Sequence, residues 1–368
     1  MEATTERQEK QRASTEVTEV APDILRMQLP ISLPGLGHVN CYALCDDRGV
    51  AVVDPGLPGK ANWNALVDRL RQAGYAPKDV HTVIVTHSHH DHFGGAGVLR
   101  HQVGAEVVTH RAFRTWFDPD EGDDPGPDAL DDSPDAGDDE AGERERPRPG
   151  AQSGPWREMP WRPGTLRPPL KRRVAMKAAR TFGRRWMRAP EPNRRVDDAD
   201  VLTFGGREWV AVHTPGHTED HLCLYSPADG IVLSGDHVLP TITPHISGMS
   251  AGHDPLDEFF ASLDRVAALE GATLALPAHG HPFDDVAGRC AEIRTHHEER
   301  LDVLREAARS TGEASVEELS KHLFKPRSWG PMAESETFAH LEHLRLHGEM
   351  VRRRVDEELH FQLVEPDA

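Results

Sequence analysis

One short run limits what this chain can fold into more than any other. Val83-Ile84-Val85, an apolar segment of strand length, empties directly into Thr86-His87-Ser88-His89-His90-Asp91-His92-Phe93-Gly94-Gly95. Residues at i, i+2, i+4 and i+5 do not share a helix face, so His87, His89, Asp91 and His92 are not a helical H-E-x-x-H type of site. On a tight loop leaving a buried strand they can converge on two neighbouring points. Imidazoles and a carboxylate suit Zn²⁺, whose ligand bonds run about 2.0–2.2 Å. Gly94 and Gly95 are expected to let the next helix begin close to the metals.

Three further apolar strands end in the same way. Trp209-Val210-Ala211-Val212 leads to Thr214-Pro215-Gly216-His217, Ile231-Val232-Leu233 to Ser234-Gly235-Asp236-His237, and Thr273 to Leu276 runs into Pro277-Ala278-His279-Gly280-His281. A catalytic single-metal site usually stops at three protein ligands plus water. With His217, Asp236 and His279 added at a sheet rim, the donors suffice for two divalent ions. Zinc is expected first, with iron or manganese as alternatives for an all-N/O donor set. Asp236 could bridge them, since a carboxylate has two oxygens and a charge to offset theirs. One histidine is more often a core or surface residue than a ligand. That reading does not extend to all of them at strand ends together.

The rest of the chain supports a layered α/β domain. Strand-like runs occupy Val39 to Leu44 and Val50 to Val53, the latter broken by Asp54-Pro55-Gly56. Ala61 to Ala73 has helical spacing, with Trp63, Leu66, Leu70 and Ala73 on one face. A strand is expected at Glu106 to Val108, another at Leu222 to Tyr225, and helices at Leu256 to Leu269 and Val286 to Ala308. Residues 1–22 read as a disordered polar leader without the apolar region of an export signal. No apolar run approaches the roughly 18 residues of a membrane span. Cys41, Cys45, Cys223 and Cys290 lack metal-ribbon or redox spacing and are read as free thiols in a reducing, cytoplasmic setting.

Charge is distributed unevenly. Asp118 to Glu145 is acidic, with Arg144 its only basic residue, and 118–150 is expected to be disordered. Arg157 to Arg195 then carries thirteen Lys/Arg against Glu158 and Glu191, and Met176 to Met187 could form a basic amphipathic helix. Residues 118–195 are therefore read as a charged insertion. In the tail, Ser315 to His322 and Ser335 to His347 have helical spacing. Met350 to Arg352 and Leu359 to Leu363 flank Asp356-Glu357 like a hairpin. Helix, helix and two strands over 311–368 outline a winged-helix domain.

The run from Thr86 to His92, with Asp54, His217, Asp236 and His279 in this order, resembles the metallo-β-lactamase superfamily. The resemblance implies an αββα sandwich over residues 23–310. It implies a first metal on His87, His89 and His217, a second on Asp91, His92 and His279, with Asp236 bridging. Asp54 would orient the histidine loop without binding metal. Thr214 to His221, Ser234 to Pro240 and the tail are similar to a glyoxalase-II-related, lactamase-like subgroup with a C-terminal winged helix. Its assigned members include thioester hydrolases and an endoribonuclease. His221 and His237 are expected to support the ligands or to face substrate.

Function follows from two metals. A water shared between them would act as a metal-bound hydroxide, with Asp91 taking or directing its proton. There is no G-x-S-x-G nucleophile elbow. The favoured reading is hydrolysis of a small thioester, ester or lactone. The alternative is an endoribonuclease, in which Trp156, Trp161, Phe182 and Trp186 stack on bases and the winged helix holds RNA. A net charge of −19 weighs against the nucleic-acid reading. β-Lactamase activity is disfavoured without an export signal, and no membrane partner is expected. An appended winged helix is compatible with a homodimer.

Overall fold

The computed structural model describes residues 7–33, 35–115, 158–164, 186–250 and 253–364. Strand runs that are apolar at nearly every position must be buried on both faces, and here they are. A seven-stranded sheet runs in chain order: β1 Val17–Ala21, β2 Ile24–Leu33, β3 Leu36–Asp46, β4 Gly49–Val53, β5 Val80–Ile84, β6 Glu106–His110 and β7 Arg194–Val196. A five-stranded sheet has the order β12-β11-β10-β9-β8: β8 Val201–Phe204, β9 Arg207–His213, β10 Leu222–Ser226, β11 Ile231–Gly235 and β12 Leu274–Pro277.

Alternation along the strands assigns each side chain to a layer. Tyr42, Leu44, Ala51, Val53 and Ile84 of the first sheet share a core with Trp209, Ala211, Leu222, Leu224 and Leu233 of the second. Their neighbours Cys41, Ala43, Val50, Val52 and Val83 face the other way, onto Trp63, Leu66 and Leu70 of α1 (Lys60–Gln72) and Val98 and Leu99 of α3 (Ala96–Val103). On the second sheet, Val212, Cys223 and Val232 pack against Phe259 and Leu263 of α4 (Pro255–Ala267) and Ile293 and Leu301 of α5 (Val286–Thr311). Helix, sheet, sheet, helix is the expected sandwich. The four cysteines are free and three are buried. Among the described residues, no helix is long and apolar enough to cross a membrane.

The tail follows the expected order: α6 (Val316–Leu323), α7 (Pro331–Leu346), then β14 (Met350–Val355) paired with β15 (Glu358–Leu363), against which β13 (Ala314–Ser315) adds a third strand. A capping box starts α6, Ser315 Oγ accepting from Glu318 N and the Glu318 carboxylate from Ser315 N. The tail does not keep a core to itself. Phe338, Leu341, Leu344 and Phe361 belong to the same apolar cluster as Phe259 and Leu301.

Two expectations need correction. The leader is ordered from residue 7: β1 pairs with β2, and Glu9 is fully buried, accepting from the Thr241 and Ile242 amides at 2.9 and 3.2 Å and from the Thr241 hydroxyl. A polar segment without apolar periodicity is ordered because it satisfies buried backbone donors, which composition does not report. Two of the four aromatics assigned to base stacking do other work. Trp161 is 1% exposed and donates its Nε1–H to Glu334, and Trp186 tilts against Trp63 of α1 with ring centres 5.6 Å apart. Trp156, Phe182, the acidic run at 118–150 and most of the Met176 to Met187 helix lie outside the described residues.

Candidate metal centre

β5 ends at Ile84, and the chain drops through Thr86 to His89 into α2, a single turn at His90–Phe93. The loop is held by Asp54, which follows β4 with a positive φ of 52° and is 2% exposed. Its Oδ1 accepts from Thr86 N at 2.9 Å, and its Oδ2 accepts from Thr86 Oγ1 at 2.8 Å and from His92 Nδ1 at 2.9 Å. A non-glycine residue in the left-handed region is uncommon, and such strain is kept where surrounding bonds over-determine it. Gly94 is required by packing. A Cβ there would lie 2.0 Å from the Leu57 carbonyl carbon and 2.1 Å from Pro58 N.

The second sheet supplies its residues singly. His217 follows β9, and its Nδ1 donates to the His245 carbonyl at 2.8 Å. His279 follows β12, and its Nδ1 donates to the His38 carbonyl at 2.7 Å. Asp236 follows β11, where His221 Nε2 accepts its backbone N–H at 3.0 Å while His221 Nδ1 bonds Thr214 Oγ1 at 2.7 Å. Gly235 makes room for that ring: a Cβ would stand 2.6 Å from His221 Nε2. His237 is fully buried edge-on to Phe259, and burial pushes its pKa down to about 3.

These strand ends bring all seven expected donors together in two groups, His87, His89, His217 and Asp236, and Asp91, His92 and His279. Within each group one ligand atom per residue lies within 4.8 Å of the others. Asp236 sits between them. Its Oδ2 is 3.8 Å from His87 Nε2, 3.5 Å from His92 Nε2 and 3.6 Å from His217 Nε2, and its Oδ1 is 3.3 Å from His279 Nε2. Asp91 Oδ2 is 3.8 Å from His92 Nε2 and 3.6 Å from His279 Nε2.

The donor set fits divalent metal on an observation independent of its spacing. His87, His92, His217 and His279 each have Nδ1 engaged by an oxygen, of Thr86, Asp54, His245 and His38 respectively. Each therefore turns Nε2 inward, the orientation that a metal-binding imidazole needs. His89 is turned the other way, its Nδ1 standing 3.1 Å from His217 Nε2. His87 Nε2, His92 Nε2, His279 Nε2 and Asp236 Oδ1 are buried without a hydrogen-bond partner. Buried polar atoms are rarely left so, and a cation satisfies them together. Burial alone would raise the Asp236 carboxyl, yet His279 and His92 hold it well below the usual range. Against its own burial, His92 is pushed well up by Asp236, Asp91 and Asp54, while burial pushes His87 well down.

Several supporting residues carry no signal of their own in the sequence. His38 bonds the Gln11 carbonyl through Nδ1 at 2.8 Å and accepts from Gly280 N through Nε2 at 3.1 Å, tying the N-terminal segment to the His279 loop. His245 Nδ1 bonds Glu336 of α7 at 3.1 Å, and Glu336 pairs with Arg300 of α5 at 3.0 Å. Burial alone would raise Glu336, but the His245 bond and Arg300 charge pull it down to about 2. Buried Asp220 accepts from Ser88 Oγ at 3.0 Å, joining the two histidine loops. It lies inside the Thr214 to His221 motif, where a carboxylate facing the first loop could have been suspected.

Known proteins agree with this geometry. The family model described as the metallo-beta-lactamase superfamily matches residues 34–279. A lactamase-like protein of Aspergillus fumigatus is 31% identical over 127 residues, 33% of this chain and 36% of that one. A hydroxyacylglutathione hydrolase of Maricaulis maris is 36% identical over 92 residues, 25% of this chain and 34% of that one. The chain thus spans about a third of the length of the curated relatives it matches. A metallo-beta-lactamase family protein of Thermus thermophilus superposes with a TM-score of 0.68 at 27% identity, covering 94% of this chain and 100% of that one. A beta-lactamase domain protein of Burkholderia ambifaria gives 0.68 at 26% identity, with 96% of each chain covered.

Proposed function

This chain belongs to the metallo-beta-lactamase superfamily, and on that premise we propose that it is a two-metal hydrolase of a small acyl compound: a thioester, ester or lactone. The observation that carries the reading is the set of buried, unpartnered nitrogens and oxygen turned into one pocket. His87, His89 and His217 would hold one ion, Asp91, His92 and His279 the other, with Asp236 between them; zinc suits the donors best. Divalent ions held there would lower the pKa of a water and polarise the carbonyl it attacks.

The chain's own groups do the rest. Asp91, 4% exposed, accepts the proton of the attacking water and returns it to the departing thiolate or alkoxide. Asp54, through Thr86 and His92, keeps the first loop from relaxing as charge develops, so little reorganisation is needed during the reaction. The Maricaulis maris relative's name, hydroxyacylglutathione hydrolase, favours an acyl thioester among the three classes.

We read residues 311–368 as a winged-helix-like unit used for packing. Arg352 pairs with Glu342 at 2.6 Å, Arg353 pairs with Glu313, and Arg354 bonds the Glu357 carbonyl at 2.6 Å. The arginines of its hairpin are thereby committed within the tail, and the ribonuclease alternative gains no support among the described residues. The test is metal content of the purified protein, with turnover of a thioester and lactone panel and of a single-stranded RNA. About two metals per chain in the pocket with metal-dependent acyl hydrolysis and intact RNA is the expected result. RNA cleavage without acyl turnover would overturn the substrate class, and failure to bind metal would overturn the enzyme.

A further inference from the structure

A third group of donors lies outside the pocket, where α7 crosses the start of α4. Asp254 is the N-cap of α4, its Oδ1 accepting from Asp257 N at 3.1 Å. That bond leaves Oδ2, which accepts from His343 Nδ1 of α7 at 2.9 Å. His347 follows one turn later, at i+4 on the same face, with its ring centre 4.2 Å from that of His343. Its Nδ1 bonds the His343 carbonyl at 2.9 Å and lies 3.8 Å from Asp254 Oδ2. One ligand atom from each of the three lies within 4.8 Å of the others.

The bond between His343 and Asp254 is sufficient to join α7 to α4. It gives no reason for a second imidazole against the first, where protonation of both would set like charges side by side. The two Nδ1 nitrogens face Asp254 Oδ2 at 2.9 and 3.8 Å, so an ion taking the place of the proton between His343 and Asp254 would lie within reach of all three, and a histidine ligates through either ring nitrogen. Two imidazoles four residues apart on a helix, with a carboxylate from another element, make a three-ligand set for a borderline divalent ion. Asp254 is 9% and His343 8% exposed, so two donors are held in place, while the His347 side chain is 48% exposed and leaves the site open to exchange.

We propose that Asp254, His343 and His347 form a third cation site, taking Zn²⁺, Ni²⁺ or Cu²⁺, which clamps the C-terminal helix α7 onto α4. The ion bridges the tail to the sandwich independently of the metal pocket, and the proposal does not rest on the hydrolase reading. Its donors exclude Mg²⁺ and Ca²⁺, which prefer all-oxygen shells.

The experiment uses the full chain without an affinity tag, stripped of metal, reloaded with micromolar Zn²⁺ and desalted. H347Q changes a half-exposed residue and is expected to fold as the parent does. It should hold one zinc fewer per chain and show a smaller zinc-induced rise in Tm. D236N, altered only in the pocket, should keep that site. With one equivalent of Cu²⁺ added to D236N, the electron paramagnetic resonance spectrum should show coupling to two nitrogens, reduced to one when H347Q is combined with it. D254N, which retains the capping oxygen, should weaken the same equivalent. Equal zinc content in parent and H347Q, or occupancy only at millimolar zinc, overturns the proposal. Loss of pocket metal in D236N with the H347Q difference preserved would separate the two sites.

Discussion

Four of the seven donors, His87, His89, Asp91 and His92, come from one loop of the first sheet; His217, Asp236 and His279 come one at a time from three loops of the second. The halves are also braced differently. The first depends on one carboxylate, Asp54, which follows the adjacent strand and binds the loop at three points. The second imports its support. His279 is oriented by His38, which is tied to the N-terminal segment, and His217 by the His245 backbone, whose side chain is tied to Glu336 of the tail. A compact half can be local, whereas a dispersed half needs the rest of the molecule to hold it.

The comparison breaks first at the residue the halves share. Asp236→Asn keeps the shape and removes the charge between both donor groups. It is expected to lower turnover by roughly a thousandfold or more, on the scale of losing metal-assisted charge stabilisation, and to deplete the metal held in the pocket. Metal analysis and single-turnover kinetics read both. If full metal content survived, Asp236 would belong to one group only. Next is Asp54→Ala, which strands Thr86 and His92. Metal affinity should fall about 10- to 100-fold and stability by about 2–4 kcal/mol, from unsatisfied buried groups. Competition with a chromogenic chelator and urea denaturation measure the two effects. A variant that lost stability but kept affinity would show that the first loop holds its shape without its carboxylate.

This division also explains what the sequence discloses. The His87 to His92 run is legible because one strand exit carries four donors. His217, Asp236 and His279 are legible only as a coincidence of strand ends, and the αββα layers because strands buried on both faces are apolar throughout. The brackets of the second half are not legible. His38, His245 and Glu336 act through backbone carbonyls or across long sequence separations, and nothing in their immediate neighbours distinguishes them from ordinary polar residues. Glu9 and Trp161 illustrate the same limit: a buried carboxylate in a polar leader and a buried tryptophan in a basic stretch take their roles from partners at Thr241 and Glu334.

A sharper test of imported support is Glu336→Gln, far in sequence from every donor. It leaves Arg300 without its carboxylate and loosens His245. Breaking a buried pair costs about 3–5 kcal/mol when a charge is stranded; an isosteric amide that can still accept a bond should cost less, about 1–3 kcal/mol. Metal affinity should fall by about 10-fold, with donors of the second half affected first. Histidine resonances in an NMR titration with zinc would show whether His217 loosens while His92 does not. Equal loosening of both would mean that the halves are mechanically one unit.

The smallest effect concerns the helical layer that carries this support. His297 of α5 and His340 of α7 are fully buried, with His297 Nδ1 3.1 Å from His340 Nε2 and His340 Nδ1 bonded to the Glu336 carbonyl at 2.7 Å. Burial pushes His340 down to about 4 and His297 well below the usual imidazole value. With folded-state values below the unfolded one, the unfolded chain takes up protons first as pH falls. Stability contributed by keeping these rings neutral is therefore complete above about pH 6.5 and declines on acidification. For His340 it levels off once pH passes below its folded value, near 4. At pH 5.5 the loss from one such group is about 1 kcal/mol. Urea midpoints of metal-free protein from pH 7.5 to 5.5 should fall, and H340Q, which cannot take up that proton, should fall less by about one proton's worth of slope. An identical slope in parent and variant would place the acid sensitivity entirely in the metal pocket, leaving the bracing layer insensitive to pH in this range.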